Sequence, residues 1–215
     1  GWAWGTNAPF QWTKQVASHF GGTRNPMVLA WPERIRDRGG LRSQFGHVND
    51  IVPTILEVTG IALPASVNGV AQQPLDGISL AYSFDDAKAT ERHTTQYFEI
   101  FGNRSIYHDG WMASAFRGRA PWAVISGARS EDFAADRWEL YDLRADFSQG
   151  TDLAAREPAR LRELQQLFAR EATANDVLLH NPTPENMRFP SLAGDRTRFS
   201  YRPGTLGVAE KEAPN

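Results

Sequence analysis

Residues 26–32, PMVLAWP, form a short continuous apolar run with a proline at each end. A run of this kind reads as a strand buried on both faces, the pattern of a parallel strand inside an α/β sheet. Such a strand cannot stand alone, because its backbone N–H and C=O groups need neighbours on both sides. Few other segments of the 215 residues read as parallel strands that could flank it. The chain is therefore expected to complete this strand against something outside it, and in isolation to be unstable or to associate. It opens GWAWGTNAPF, without an initiator Met, and reads as a piece of a longer polypeptide.

Just before the strand, WTKQVASHFGGTRNP carries a lysine, a histidine, a Gly-Gly pair and an arginine within residues 12–26. Its first part has helical character, and Gly21-Gly22 reads as the end of that helix. Lys14 and His19, five apart, would share roughly one side of it at about 100° per residue. Arg24 follows five further on. Two cationic or hydrogen-bonding groups beside a glycine turn suit a sulfate or phosphate ester, with exposed amides as extra donors. The plainer reading has Lys14 solvated, His19 capping a helix end and Arg24 paired with a surface carboxylate. Spacing alone leaves both open.

Further along, NDIVPTILEVTG predicts a helix, capped by Asn49 or Asp50, with Pro53 in its first turn and Gly60 at its end. Ile51, Ile55, Leu56 and Val58 would form its apolar side. Residues 61–84 are rich in Pro, Gly and Asn and read as an irregular excursion. Then TTQYFEIF alternates, RSIYHDGWMASAF reads as a hairpin turning at Asp109-Gly110, and RWELYDL gives another strand. A small antiparallel sheet is expected at about residues 93–145. EPARLRELQQLFAREATAND is the clearest helix, with Pro158 in its first turn and Leu161, Leu164, Leu167 and Phe168 on one face. These elements divide the chain into an α/β part (residues 1–92), an antiparallel sheet with its helix (93–180) and an irregular tail (181–215).

Composition narrows the function classes. A net charge of −2 and the lack of a basic stripe argue against nucleic acid as a partner. No apolar run approaches eighteen residues, so no membrane span is expected. The absence of cysteine excludes disulfides and thiolate chemistry within these residues, and leaves the redox compartment open. The five histidines show no metal-binding spacing, no metal ligands are assigned, and no Gly-x-Ser-x-Gly elbow supports a serine hydrolase. Asn103, Arg104, Tyr107 and His108 cluster around the hairpin, either as rim residues of a pocket or as its ordinary polar edge. His47 reads as a helix cap or a residue buried against the sheet.

Three motifs carry a family resemblance. KQVASHFGGTRNP followed by MVLAWP resembles the sulfatase pattern of an active-site lysine, a Gly-Gly-x-Arg-x-Pro turn and a buried strand ending in Trp-Pro. HVNDIVPTILEVTGI resembles the family's next helix, and WELYDLRADFSQGTDLA its Glu-Leu-Tyr-Asp-Leu strand and the loop that enters the C-terminal helix. The segments PFQWTKQVASHFGGTRN, PTILE, YFEIFGNRSIYHDGW and ELYDLRADFSQ have near counterparts in the large bacterial arylsulfatases. The resemblance covers about residues 10–180.

It implies an α/β fold: the C-terminal part of an alkaline-phosphatase-like domain, then a small antiparallel sheet with a packed C-terminal helix. The implied reaction is hydrolysis of sulfate esters, in which a formylglycine hydrate attacks sulfur while calcium and basic side chains hold the sulfate oxygens. The family's sulfate-contacting lysine falls on Lys14, which would act catalytically and bind substrate. His19, Arg104 and His108 are the further substrate-binding candidates, and Arg24 would hold the turn against a carboxylate. The chain departs from the family in having no cysteine and no Ser-x-Pro-x-Arg from which to make the nucleophile. Nothing before Lys14 supplies the Asp-Asn calcium pair either. Calcium and formylglycine would thus belong to an absent N-terminal part, and this chain alone should be catalytically silent. Phosphate or phosphonate esters, or a non-catalytic anion-binding or interaction module, are the alternatives.

Overall fold

A computed structural model describes residues 2–118 and 132–177. Strands β3 (Thr95–Ile100), β4 (Asn103–His108), β5 (Trp111–Ala115) and β6 (Trp138–Asp142) form an antiparallel meander in that order. The turn at Asp109-Gly110 arises as expected: both residues take positive φ, 45° and 79°, which matches the twist of the flanking strands. Phe101-Gly102 closes β3 to β4 in the same way, at 54° and 80°.

Strict alternation gives this sheet two different faces. Ile106, Ala113 and Leu140 point to one side and pack, fully buried, against Leu164 and Phe168 of helix α4 (Pro158–Ala174). Tyr97, Trp111, Trp138, Leu161 and Leu167 widen this core. Pro158 occupies the first turn of α4, where its missing N–H costs nothing. Burying a leucine such as Leu164 contributes about 1.5–3 kcal/mol.

The opposite face is polar. Register places Ser105, Ser114 and Glu139 in one cross-strand row, beside Phe98 of the edge strand. Ser105 and Ser114 are wholly inaccessible to solvent, so each hydroxyl needs a partner. Ser105 finds its partner in the N-terminal third of the chain, at the Ala17 carbonyl, and Ser114 finds its own in the Gln149 side chain.

Helix α3 (Ile51–Thr59) forms where expected and ends at Gly60 in the left-handed conformation, φ 67°. Its apolar side is only partly covered, with Leu56 and Val58 half-buried. Ile51, Val52 and Ile55 are exposed, while Thr54 is buried. The Thr54 hydroxyl donates to the Asp50 carbonyl at 2.6 Å and accepts from the Leu80 N–H at 2.8 Å. The buried Asp50 carboxylate accepts from the N–H groups of His47 and Ile78, and from Nδ1 of His93 at 2.8 Å. His47, near the start of this helix, has its ring 5.5 Å from that of Phe98. Within the stretch read as irregular, strands β1 (Ser66–Val67) and β2 (Val70–Ala71) pair around Asn68-Gly69. The remaining α-helices among the described residues are the single turns α1 (Trp2–Gly5) and α2 (Phe20–Thr23).

Two expectations are corrected. Residues 27–31 are not a buried strand: they run without a sheet partner among the described residues, and Met27, Val28 and Leu29 are 52%, 89% and 50% exposed. The run has the composition of an interior strand and no neighbours to make it one. Nor do residues 11–20 form a helix. They make successive turns, because Trp12 and Gln15 take φ of 67° and 78°, which no right-handed helix accommodates. Residues 181–215, read as an irregular tail, lie outside the described residues.

Candidate functional site

The turns over residues 11–22 hold Lys14 at the surface, with no hydrogen bond or ion pair to any described residue. Everything around it is fastened. The Val16 N–H bonds to the Thr13 carbonyl, His19 N–H to Val16 and Gly21 N–H to Gln11. Val16, Ala17, Ser18, His19 and Phe20 are all buried.

Gly21 and Gly22 serve this loop by lacking a side chain. A Cβ on Gly21 would lie 2.1 Å from the Trp12 carbonyl oxygen, and one on Gly22 2.2 Å from that of Val16. The pair therefore lets the chain fold back on itself and does not end a helix. It begins one, α2, with His19 at the N-cap position.

The polar face of the sheet receives the loop. The Ser105 hydroxyl donates to the Ala17 carbonyl at 2.7 Å. Asn103 Nδ2 donates to the Gln15 carbonyl at 3.3 Å. Gln149, fully buried, accepts the Phe20 N–H on Oε1 at 2.7 Å while its Nε2 donates to Ser114 Oγ. His19, 1% exposed, completes the set: Nε2 donates to Glu139 Oε2 at 3.1 Å, leaving Nδ1 to accept the Ser18 hydroxyl at 2.8 Å. The hydrogen bond from His19 holds the Glu139 carboxyl below the usual glutamate range, against an opposing effect of burial and with help from the Tyr141 hydroxyl. Tyr141 in turn is pushed upward, first by burial and then by the Glu139 charge.

A depressed folded value means that ionised Glu139 stabilises the folded state at neutral pH, and that this contribution is lost as pH falls through that value. Protection of the amides of residues 11–22, taken relative to their intrinsic exchange rates at each pH, is accordingly expected to fall as pH drops below the ordinary glutamate range. In Glu139→Gln the acid step should vanish; an unchanged profile in that variant would refute the assignment.

Among the described residues, no carboxylate holds Arg24. Its guanidinium lies 5.2 Å from the ring centres of Phe10 and Phe20 and 5.8 Å from that of Phe147, and it donates to the Phe147 carbonyl. Arg104 and His108 also stand elsewhere than expected. The pleat turns them to the face opposite Ser105, away from the loop. Arg104 is 3% exposed and engaged with Asp136 at 2.5 Å and with the carbonyls of Gly102 and Phe133. His108 meets Thr95 Oγ1 at 2.8 Å beside the hairpin turn. The structure thus joins Lys14 and His19 in one loop and leaves Arg104 and His108 outside it.

Asn7, Ser105, Glu139 and Gln149, which anchor the loop, were not singled out by sequence reasoning. The only available signal was the polar character of alternate positions, 103, 105, 114 and 139, on strands whose other face is apolar. No group of three His, Asp or Glu among the described residues is arranged to hold a metal ion. The sequence holds no cysteine and no Ser-x-Pro-x-Arg from which a formylglycine could be made.

Comparison with known proteins bears on the same segments. A family model described as Sulfatase matches residues 4–61, which contain the Lys14 loop and α3. An uncharacterized sulfatase of Schizosaccharomyces pombe is 28% identical over 165 residues, 76% of this chain and 27% of the relative. N-acetylgalactosamine-6-sulfatase of Canis lupus familiaris is 31% identical over 152 residues, 70% of this chain and 24% of the relative. The chain thus spans about a quarter of the length of these curated relatives. The solved structure of Ps i-CgsB in complex with k-i-k-neocarrahexaose matches 83% of this chain and 35% of its own, with a TM-score of 0.57 and 18% identity, a likeness of fold.

Proposed function

From the premise that this chain belongs to the sulfatase family, with the alkaline-phosphatase-like fold of its solved relatives, we propose that it is the C-terminal portion of an arylsulfatase and supplies a lysine to the sulfate pocket. The observation that carries this reading is Lys14: an exposed ammonium without a described partner, on a loop tied to other parts of the chain through the backbone of Gln15, Ala17 and Phe20.

Lys14 would meet the anionic oxygens of a sulfate ester and offset the charge that builds on the leaving oxygen as the S–O bond breaks. A rigid loop matters here, because a donor fixed in advance loses no free energy to reorganisation during reaction. His19 acts behind it, tying the loop to Glu139 rather than touching substrate. Calcium and formylglycine, which the family resemblance implies, lack their residues among those described, and no step is assigned through them. Residues 1–92 are assigned to the α/β domain, 93–180 to the sheet with its helix and 181–215 to a tail. The partner of the first part is the remainder of the sulfatase domain. Of the seventeen large hydrophobic residues with exposed side chains among the described residues, all but Phe147 lie between Trp2 and Ile78, as surface awaiting that partner would. No helix among the described residues is long and apolar enough to cross a membrane.

Val28 offers a test that separates this reading from an ordinary exposed loop. At 89% exposure, Val28→Asp in the 215-residue chain alone should change stability by less than about 0.5 kcal/mol. In the complete polypeptide the same substitution would bury an unpaired charge and should lower the melting temperature sharply. Equal, negligible effects in both would refute the burial of this strand. The complete polypeptide should also hydrolyse an aryl sulfate that residues 1–215 alone leave intact.

A further inference from the structure

Lys14 is bracketed by two residues in a conformation that side chains avoid. Trp12 and Gln15 both lie in the left-handed region, at φ 67° and 78°, where a non-glycine residue costs of order 1–3 kcal/mol. Strain of this kind persists only where the surroundings over-determine it. Here each strained residue has its carbonyl held by an asparagine amide.

Asn103 Nδ2 donates to the Gln15 carbonyl at 3.3 Å, and Asn7 Nδ2 donates to that of Trp12 at 3.3 Å and to that of Gly21 at 3.0 Å. The orientation of the Asn103 amide is fixed independently. The Arg117 backbone N–H, which can only donate, meets Asn103 Oδ1 at 3.0 Å, so Nδ2 is the atom that faces Gln15. Asn103 is 4% exposed, and its amide has no water to turn to if a partner is lost. Neither asparagine is placed to touch an ester held at Lys14 through these bonds, since both act on backbone carbonyls.

We propose that Asn103 and Asn7 are positioning residues for Lys14: they clamp the two left-handed residues on either side of it and so fix the direction in which its ammonium is presented. This rests on the reading that Lys14 meets the substrate. It assigns the antiparallel sheet, through Asn103 at the start of β4, a direct part in shaping the sulfate site.

Asn103→Asp is the informative change. The carboxylate is nearly isosteric and still accepts from Arg117, but it cannot donate to Gln15 and sets an anion against a carbonyl oxygen. In the complete polypeptide, kcat for an aryl sulfate should fall about 10- to 100-fold, the scale of a misplaced catalytic group, with KM moving much less. Amide exchange over residues 11–20 should quicken, and Asn7→Asp should act in the same direction. The decisive variant is Asn103→Asp combined with Gln15→Gly. Glycine takes a φ near 78° freely, so removing the strain should recover most of the lost kcat. A fold defect elsewhere in the sheet would gain nothing from Gln15→Gly.

Wild-type kcat and exchange in Asn103→Asp would overturn the proposal, as would a loss that Gln15→Gly leaves untouched. Undiminished turnover in Lys14→Ala would overturn the functional reading and the purpose given to the clamp. The exchange data would still report whether the clamp itself exists, so the two failures are told apart.

Discussion

Lys14→Ala in the complete sulfatase polypeptide is expected to lower kcat for an aryl sulfate by about 10²–10³, the cost of removing one preorganised charge-stabilising group. Stability should be unaffected, because the side chain is exposed and has no partner among the described residues. Both halves of this result matter. A lysine that merely solubilised the loop would leave kcat alone, and one that braced the fold would lower the melting temperature. Lys14→Arg keeps the charge but replaces a compact ammonium by a planar fork, so it should recover only part of the rate. Steady-state kinetics with a melting curve on each variant provide the comparison. Near-wild-type turnover in Lys14→Ala would remove the site assigned here.

Gly22→Ala is expected to be nearly as damaging, by a different route. The added Cβ would lie 2.2 Å from the Val16 carbonyl oxygen and 2.7 Å from its carbon, both backbone atoms that cannot swing aside. The turn must open, at about 1–3 kcal/mol for overpacking of this kind. Lys14 would move with it, and a displacement near 1 Å can cost about 10²-fold in rate. Gly21→Ala should behave alike, with its Cβ 2.1 Å from the Trp12 carbonyl oxygen. Gly5→Ala is the control, since nothing lies within 4 Å of its added Cβ. Melting temperature and kcat together should fall for positions 21 and 22 and hold for position 5.

The difference between those glycines marks what could be read in the sequence and what could not. The sheet was legible because its apolar residues alternate and because Asp109-Gly110 and the 3.6-residue rhythm of residues 158–174 are local signals. The loop around Lys14 was not. Its Gly-Gly pair carries the same letters as a helix end, whereas its actual purpose, close approach to Trp12 and Val16, is set by residues folding back from up to nine positions away. The left-handed Trp12 and Gln15 have no sequence signature, since neither is a residue that favours that region. Their carbonyls are held by Asn7 and Asn103, and the second of these lies 88 positions from Gln15.

Arg104 illustrates a signal of another kind. As a cation near a hairpin it resembled a pocket residue, but the alternation of β4, which the sequence does reveal, already sends it to the face opposite Ser105. The run at residues 27–31 has the composition of a buried strand, but the structure gives it no sheet partner among the described residues and leaves Met27, Val28 and Leu29 exposed. The polar face of the sheet is buried, while exposed large apolar residues recur between Trp2 and Ile78.

The most direct test of the central claim is a head-to-head measurement of aryl sulfate and aryl phosphate hydrolysis by the natural gene product, with its intact mass determined on the same sample. The account predicts a species heavier than 24.0 kDa, or a tight complex that includes this chain, with kcat/KM favouring the sulfate and lost in Lys14→Ala. A 24.0 kDa protein that turns over neither ester, or one that prefers the phosphate, would contradict it.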